Sequence, residues 1–162
     1  MAAEGYMTLG MMAEAHAELD AADAIPDCRM AVAILKLDCL IVEKRWKEAA
    51  IYGEALCDLD PDTPDYFLKY AKALTGLGQL EQAAFVLETG PEAIQLLPDF
   101  HYHVGRFEAE KGNAWNALHH IEMALAIQAD FFQDSDEGRD PVIEPFLSGP
   151  SSEDGSEPEW VF

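Results

Sequence analysis

Apolar residues recur at three- and four-residue intervals along most of the chain. The stretches MAVAILKLDCLIVEK (30–44) and DYFLKYAKALTGLG (65–78) follow this spacing, and AWNALHHIEMALAI (114–127) places its apolar residues on one stripe. Such spacing predicts amphipathic α-helices. The strict alternation that is typical of strands is absent, so the sequence predicts an all-α fold.

The pattern repeats every 34 residues. One column of the repeat holds alanines, which are Ala15, Ala49, Ala83 and Ala117. Five residues before each alanine lie Gly10, Lys44, Gly78 and Gly112. A turn between two helices needs a residue that tolerates a left-handed backbone, and glycine does so most readily. The chain is therefore predicted to consist of helix-turn-helix repeats.

This spacing resembles the tetratricopeptide repeat, a 34-residue helix-turn-helix unit with small residues at the helix crossing. The resemblance implies a domain over 1–131, a right-handed superhelix of about four repeats at 1–29, 30–63, 64–97 and 98–131. The chain departs from the family pattern at the first-helix tryptophan position, which holds Ala33, Phe67 and His101. Gly90-Pro91 should also break the second helix of the third repeat, which we expect to restart as a short segment through Leu97.

A second resemblance concerns the end of the chain. The stretches KRWKEAA (44–50) and DPVIEPFL (140–147) look like those of a group of small bacterial tetratricopeptide proteins of unassigned function. This resemblance implies a C-terminal capping segment over 132–149, with Asp140 as N-cap and Pro141 at the first helical position. Residues 150–162 are predicted to be an acidic flexible tail. The alternative is a disordered tail throughout.

Charge limits the classes of partner. The 162 residues carry a net charge of −21, and residues 130–162 hold ten acids against the single base Arg139. Such a field repels polyanions, which excludes nucleic acid and disfavours an anionic membrane surface. The chain shows neither an apolar run long enough to span a bilayer nor a signal peptide. Three cysteines without metal-ligand spacing fit free thiols. We expect a cytoplasmic protein.

Catalytic and metal-binding motifs are absent from the sequence. There is no glycine-rich phosphate loop, nucleophile elbow or HExxH motif. The pairs His101/His103 and His119/His120 diverge on a helix, so neither pair closes on one ion by itself, and a site built from two helices is not signalled. We expect no enzyme activity, no metal and no cofactor.

The family resemblance places a binding groove on the first helices of the repeats. The residues that it implies are Ile34, Asp38, Leu68, Lys69, Lys72, Tyr102, His103 and Arg106. Lys69, Lys72 and Arg106 are three of only nine bases in the first 129 residues. They favour a groove that takes an acidic or carboxylate-bearing peptide. The alternative is that these cations merely offset neighbouring acids.

The sequence favours a noncatalytic scaffold or adaptor that binds a peptide or protein segment in this groove. Two alternatives stay open. Small acidic tetratricopeptide chaperones of secreted proteins have similar size and charge. A structural, self-assembling module is the other alternative, with homo-oligomers formed through the ends of the solenoid or through the C-terminal tail, which ends in Trp160, Val161 and Phe162.

Overall fold

Helices joined by short turns make up the structure, a computed structural model that describes residues 2–25, 28–133 and 135–148. Within these ranges there is no β-strand. The α-helices are α1 Ala2–Thr8, α2 Met12–Asp23, α3 Arg29–Val42, α4 Trp46–Leu59, α5 Pro64–Gly76, α6 Leu80–Thr89, α7 Pro98–Glu110, α8 Ala114–Ile127 and α9 Glu144–Leu147. Residues Glu92–Leu96 and Glu137–Arg139 form 3₁₀ helices. The predicted all-α fold is confirmed.

Helix α5 shows how the sequence specifies these elements. Thr63 is extended and Pro64 occupies the start of the helix, where its missing N–H removes no hydrogen bond and its fixed φ suits a helix. Within the helix Phe67, Ala71 and Leu74 are buried. Their spacing of four and three residues places them on one face. The apolar face of α5 is therefore set by local sequence and stabilised by packing.

The turns between paired helices repeat the same backbone geometry. Four residues in these turns have a left-handed backbone, namely Gly10, Lys44, Gly78 and Gly112, with φ of 71°, 57°, 76° and 79°. In each turn the next amide bonds to a carbonyl five residues earlier, as Arg45 N does to Leu40 O at 2.9 Å. This is the Schellman pattern of helix ends. The 34-residue repeat is thus present in the backbone itself.

The alanine column is buried, as expected for small residues between paired helices. Ala15, Ala49 and Ala117 are fully buried, and Ala83 is 5% exposed. A small side chain at a crossing lets two helices approach closely, and a larger one would force them apart. Gly76 has a related role between repeats, because a Cβ there would overlap the indole ring of Trp46.

The first compact unit, Met1–Gln95, contains α1 to α6. Each helix packs against the next, and α3 also contacts α1 and α5. Consecutive first helices are therefore neighbours within this unit. One core cluster joins α1, α2 and α3 through Ala3, Leu19 and Val32, all of which are at most 1% exposed.

The predicted break in the third repeat is present. Helix α6 ends at Thr89, and Gly90 is extended. The chain resumes as the 3₁₀ helix Glu92–Leu96 and buries Ile94 to 1% exposure. The break follows from Pro91, which has no N–H to continue the helix.

The second compact unit, Leu96–Phe162, contains α7, α8 and α9. Helix α7 packs against α8, and α8 against α9. Residues 137–147, which we name the closing segment, bury Ile143 completely in a cluster with Ile121, Ala124 and Phe132. The predicted tail, residues 150–162, lies outside the described residues.

The start of the last helix differs from the expectation. The Asp140 carboxylate does cap a backbone amide, since Val142 N donates to its Oδ1 at 2.9 Å. The helix, however, begins at Glu144 and not at Pro141. Both Ile143 N and Glu144 N donate to the Asp140 carbonyl at 2.9 Å, which closes a turn over residues 141–143 first. This turn carries Ile143 into the core.

Candidate functional site

Lys69 is the centre of an ion-pair cluster on the first helices of the first compact unit. Its Nζ lies 2.6 Å from Asp38 Oδ1 on α3 and 2.7 Å from Asp65 Oδ2 one turn earlier on α5. Burial alone would lower the pKa of Lys69, but the bonds to Asp38 and Asp65 outweigh it, so its pKa lies above the ordinary value. The ammonium is therefore charged and held in place between two helices.

The other predicted groove residues of this unit lie on the same two helices, α3 and α5. Ile34 and Lys72 are half-buried, and Leu68 is buried to 8% exposure. Lys72 follows Lys69 by three residues, so the two side chains share one face of α5. We name Ile34, Asp38, Leu68, Lys69 and Lys72 the first-helix face.

Charge is distributed unequally between first and second helices in this unit. Among the first helices, α1 carries the single acid Glu4, whereas α3 and α5 each carry two bases and one acid. By contrast α2, α4 and α6 together carry nine acids and the single base Lys47. Because like charges repel, an acidic chain meets less repulsion at α3 and α5 than at the second helices.

In the second compact unit Arg106 and Tyr102 are both engaged by one carboxylate of the closing segment. Asp140 Oδ2 lies 2.6 Å from Arg106 Nε and accepts a hydrogen bond from the Tyr102 hydroxyl at 2.8 Å. Arg106 Nη2 also lies 3.0 Å from Glu110 Oε1. Burial and the neighbouring Asp140 raise the pKa of Tyr102, which keeps its hydroxyl a donor. No spacing in the sequence identifies Asp140 as the partner of Arg106, from which it is separated by 34 residues.

The predicted histidine, His103, lies in the interior. It is 8% exposed, and its ring centre lies 4.9 Å from that of Tyr102. A partner on the surface would meet little of this side chain. Its position follows from its place on α7, three residues after the buried Phe100 and therefore on the same face of the helix.

A second histidine contact joins α7 to α8. His101 Nδ1 and His120 Nδ1 lie 3.0 Å apart. Burial lowers the pKa of His120, and the nearby His101 and His119 lower it further. Within the part of the chain that the structure describes, no group of three or more His, Cys, Asp or Glu could hold a metal ion. The pair is best described as a hydrogen bond between two imidazole rings.

An open pocket of about 290 Å³ lies among α2, α3 and α4. Its lining residues are His16, Asp20, Lys36, Leu40, Arg45, Glu48 and Tyr52. The bases are matched by acids at its wall, since Lys36 bonds to Asp20 at 3.1 Å and Arg45 bonds to Glu48. The pocket is thus polar, and its positive and negative side chains are paired with each other.

No helix of the described ranges is both long and apolar enough to cross a membrane.

Solved structures provide the comparison that decides the fold. The chain is similar to MamA 41-end from Desulfovibrio magneticus RS-1, with a TM-score of 0.69 and 20% identity over 82% of this chain and 74% of that one. MamA has a tetratricopeptide-repeat fold. This chain has the tetratricopeptide-repeat fold. The MamA RS-1 ArsTM double mutant matches with a TM-score of 0.68 and 20% identity over 83% of this chain and 74% of that one.

A third tetratricopeptide structure, MamA MSR-1 C2, gives a TM-score of 0.64 and 15% identity over 76% of this chain and 71% of that one. The sequence matches no family model and no curated protein. At these identities the likeness establishes the tetratricopeptide fold, which the turn geometry at Gly10, Lys44, Gly78 and Gly112 supports independently.

Proposed function

We propose that this protein is a noncatalytic tetratricopeptide scaffold that binds an acidic segment of a partner protein on the first-helix face. The observation that carries the proposal is the separation of charge within the first compact unit. Bases outnumber acids on α3 and α5, whereas acids strongly outnumber bases on α2, α4 and α6. A partner with carboxylates is therefore directed to the first helices.

Lys69 supports this role through its remaining donor. An ammonium group has three N–H donors, and Asp38 and Asp65 lie close enough to take two of them. The third can be offered to a carboxylate of a partner while the two resident acids hold the side chain in position. A preorganised donor costs less side-chain entropy on binding than a freely moving lysine.

Lys72 and Ile34 extend the same surface. Lys72 adds a second base one turn beyond Lys69, and Ile34 is a half-buried apolar side chain on α3. The combination fits a segment that has both acidic and aliphatic residues. The residues Tyr102, His103 and Arg106 contribute less, because Asp140 engages the first and third and His103 is buried.

The proposal includes a cytoplasmic location. The cysteines of the described residues, Cys28, Cys39 and Cys57, are free thiols. Free thiols persist most readily in a reducing compartment.

Peptide binding to the intact chain tests the function. The probes are a peptide of alternating glutamate and leucine residues and its counterpart with lysine in place of glutamate, each followed by fluorescence anisotropy. We expect the glutamate peptide to bind more tightly, and Lys72→Glu to weaken it by about tenfold, the equivalent of roughly 1.4 kcal/mol. The matched control is Lys47→Glu, which makes the same charge change on α4. Equal weakening by both variants would show that only the net charge matters.

A further inference from the structure

The closing segment packs on the surface that α7 and α8 form, which we name the α7/α8 surface. The contacts divide into one polar lock and one apolar anchor. The lock is Asp140 against Tyr102 and Arg106. The anchor is Ile143, fully buried against Ile121 and Ala124.

The polar lock is specific for a carboxylate at one place. Arg106 Nε and the Tyr102 hydroxyl converge on the same oxygen, Asp140 Oδ2. The carboxylate side chain is only 9% exposed. An amide or an apolar residue there would remove the more buried of the two carboxylates that pair with the guanidinium, and would leave Arg106 Nε without its charged partner. The surface therefore selects an acid at this position.

The apolar anchor has a fixed spacing from the lock. Ile143 follows Asp140 by three residues, and its amide donates a hydrogen bond of 2.9 Å to the Asp140 carbonyl. The amide of Val142 donates another of 2.9 Å to the Asp140 carboxylate. The turn is thus stabilised by atoms of the closing segment itself, so the segment supplies its own binding conformation.

The way in which the closing segment is connected to α8 allows it to separate from the α7/α8 surface. Helix α8 ends at Ile127, and the described residues between it and Glu137 form turns and bends without an α-helix. Helix α9 itself is four residues long. The segment can leave without breaking a long element of secondary structure.

We propose that copies of this chain exchange closing segments, so that Asp140 and Ile143 of a second copy complete the α7/α8 surface of the first. The bonds of Asp140 to Tyr102 and Arg106 and the packing of Ile143 join the segment to the surface, and the bonds within the turn move with the segment, so a segment from a second copy forms the same contacts. In a single copy the tether gives the chain's own segment a high effective concentration, of the order of millimolar for a short connection. Exchange therefore requires a vacant surface or high protein concentration. Segment exchange is independent of the proposed function, since Lys69 and Lys72 take no part in it and the partner is a second copy of this chain.

A complementation experiment with full-length variants tests the exchange. The D140A/I143A variant keeps the surface and loses the anchors of its segment, whereas R106E keeps the segment and repels it from its own surface. We expect each variant alone to sediment with the 17.9 kDa mass of one chain. Their equimolar mixture should form a dimer that contains one copy of each. The matched control mixes D140A/I143A with the R106E/D140A/I143A variant, which supplies no intact segment.

The proposal is contradicted if the mixture contains no more dimer than the control mixture and circular dichroism shows that the variants remain helical.

Hydrogen exchange of the unmodified chain provides a second test that does not depend on folding of the variants. We expect the amides of Val142 and Ile143 to exchange at least tenfold faster than that of Ile121, because the segment opens before α7 and α8 separate. Equal rates would mean that the segment leaves the surface only when the whole protein unfolds, which would contradict the exchange of segments between copies.

Discussion

Asp38 on α3 lies 2.6 Å from Lys69 on α5, an ion pair that joins the first helices of two consecutive repeats. Both side chains are partly shielded from water, with 28% and 22% of their surface exposed. The pair therefore connects the helices that form the first-helix face. It also fixes the position of the ammonium that we propose to meet the partner.

A double-mutant cycle measures this link. Replacing Asp38 by Asn, Lys69 by Met, and both together should reveal a coupling energy of about 0.5–1 kcal/mol in urea unfolding, as for a partly exposed ion pair. The contribution depends on pH in a defined direction. Because the pKa of Lys69 lies above its ordinary value, the stabilisation is present below that value and is lost as the pH rises through the folded-state pKa. Strictly additive single effects would show that the contact contributes nothing.

The turn at Lys44 offers a stabilising substitution. Lys44 has φ of 57°, whereas glycine occupies the equivalent turns at 10, 78 and 112. A side chain in this left-handed region is strained, so Lys44→Gly should raise the free energy of unfolding by about 0.5–1 kcal/mol. Gly78→Ala is the matched reverse change and should lower it by about 1 kcal/mol. Thermal and urea unfolding of the two variants provide the check, and a destabilised Lys44→Gly would refute the strain argument.

The cysteines should differ in reactivity. Burial and the neighbouring Asp58 raise the pKa of Cys57 to about 12, and burial with Glu43 and Asp38 raises the pKa of Cys39. Because the thiolate is the reactive form, both should resist iodoacetamide at pH 8, whereas the half-buried Cys28 reacts first. Mass spectrometry of tryptic peptides over time gives the order. Early modification of Cys57 would contradict its burial.

The histidine pair should make the protein less stable in mild acid. The pKa of His120 is lowered by burial and by His101 and His119, against an opposing effect of Glu108. The unfolded chain therefore binds a proton to this residue more readily than the folded chain does. Stability should fall as the pH drops below about 6.5, the ordinary histidine pKa.

The variant His120→Asn isolates this contribution from the titration of the many carboxylates. The difference in unfolding free energy between the original chain and His120→Asn should shrink between pH 7.5 and 5.5. The control His16→Asn removes a histidine that bonds to Glu43 at 2.9 Å instead of to another histidine. A difference for His120→Asn that is constant over this range would show that folding does not lower the pKa of His120.

The repeat could be predicted because its signals are local. A left-handed turn needs glycine or a tolerated substitute, and the 34-residue spacing identified even Lys44 as a turn residue. The break at Gly90-Pro91 was equally local, because proline stops a helix wherever it lies within one. These features depend on backbone chemistry that neighbouring residues already determine.

The partners of the site residues could not be predicted in the same way. Arg106 meets Asp140 only because the turn over residues 141–143 brings the closing segment back to α7. His101 meets His120 because α7 and α8 cross at that point. The sequence contains a weak signal for the second contact, since His101 occupies the first-helix position that holds a tryptophan in the tetratricopeptide pattern. Whether the eight predicted groove residues bind a partner stays a prediction.

The location of the bound partner tests the central claim most directly. Amide chemical-shift perturbations of the isotopically labelled chain can be followed while the glutamate–leucine peptide is added. We predict the largest changes on α3 and α5, around Asp38, Lys69 and Lys72, and their loss in Lys72→Glu but not in Lys47→Glu. Changes confined to α2, α4 and α6, or none at saturating peptide, would contradict an acidic-segment scaffold that works through its first helices.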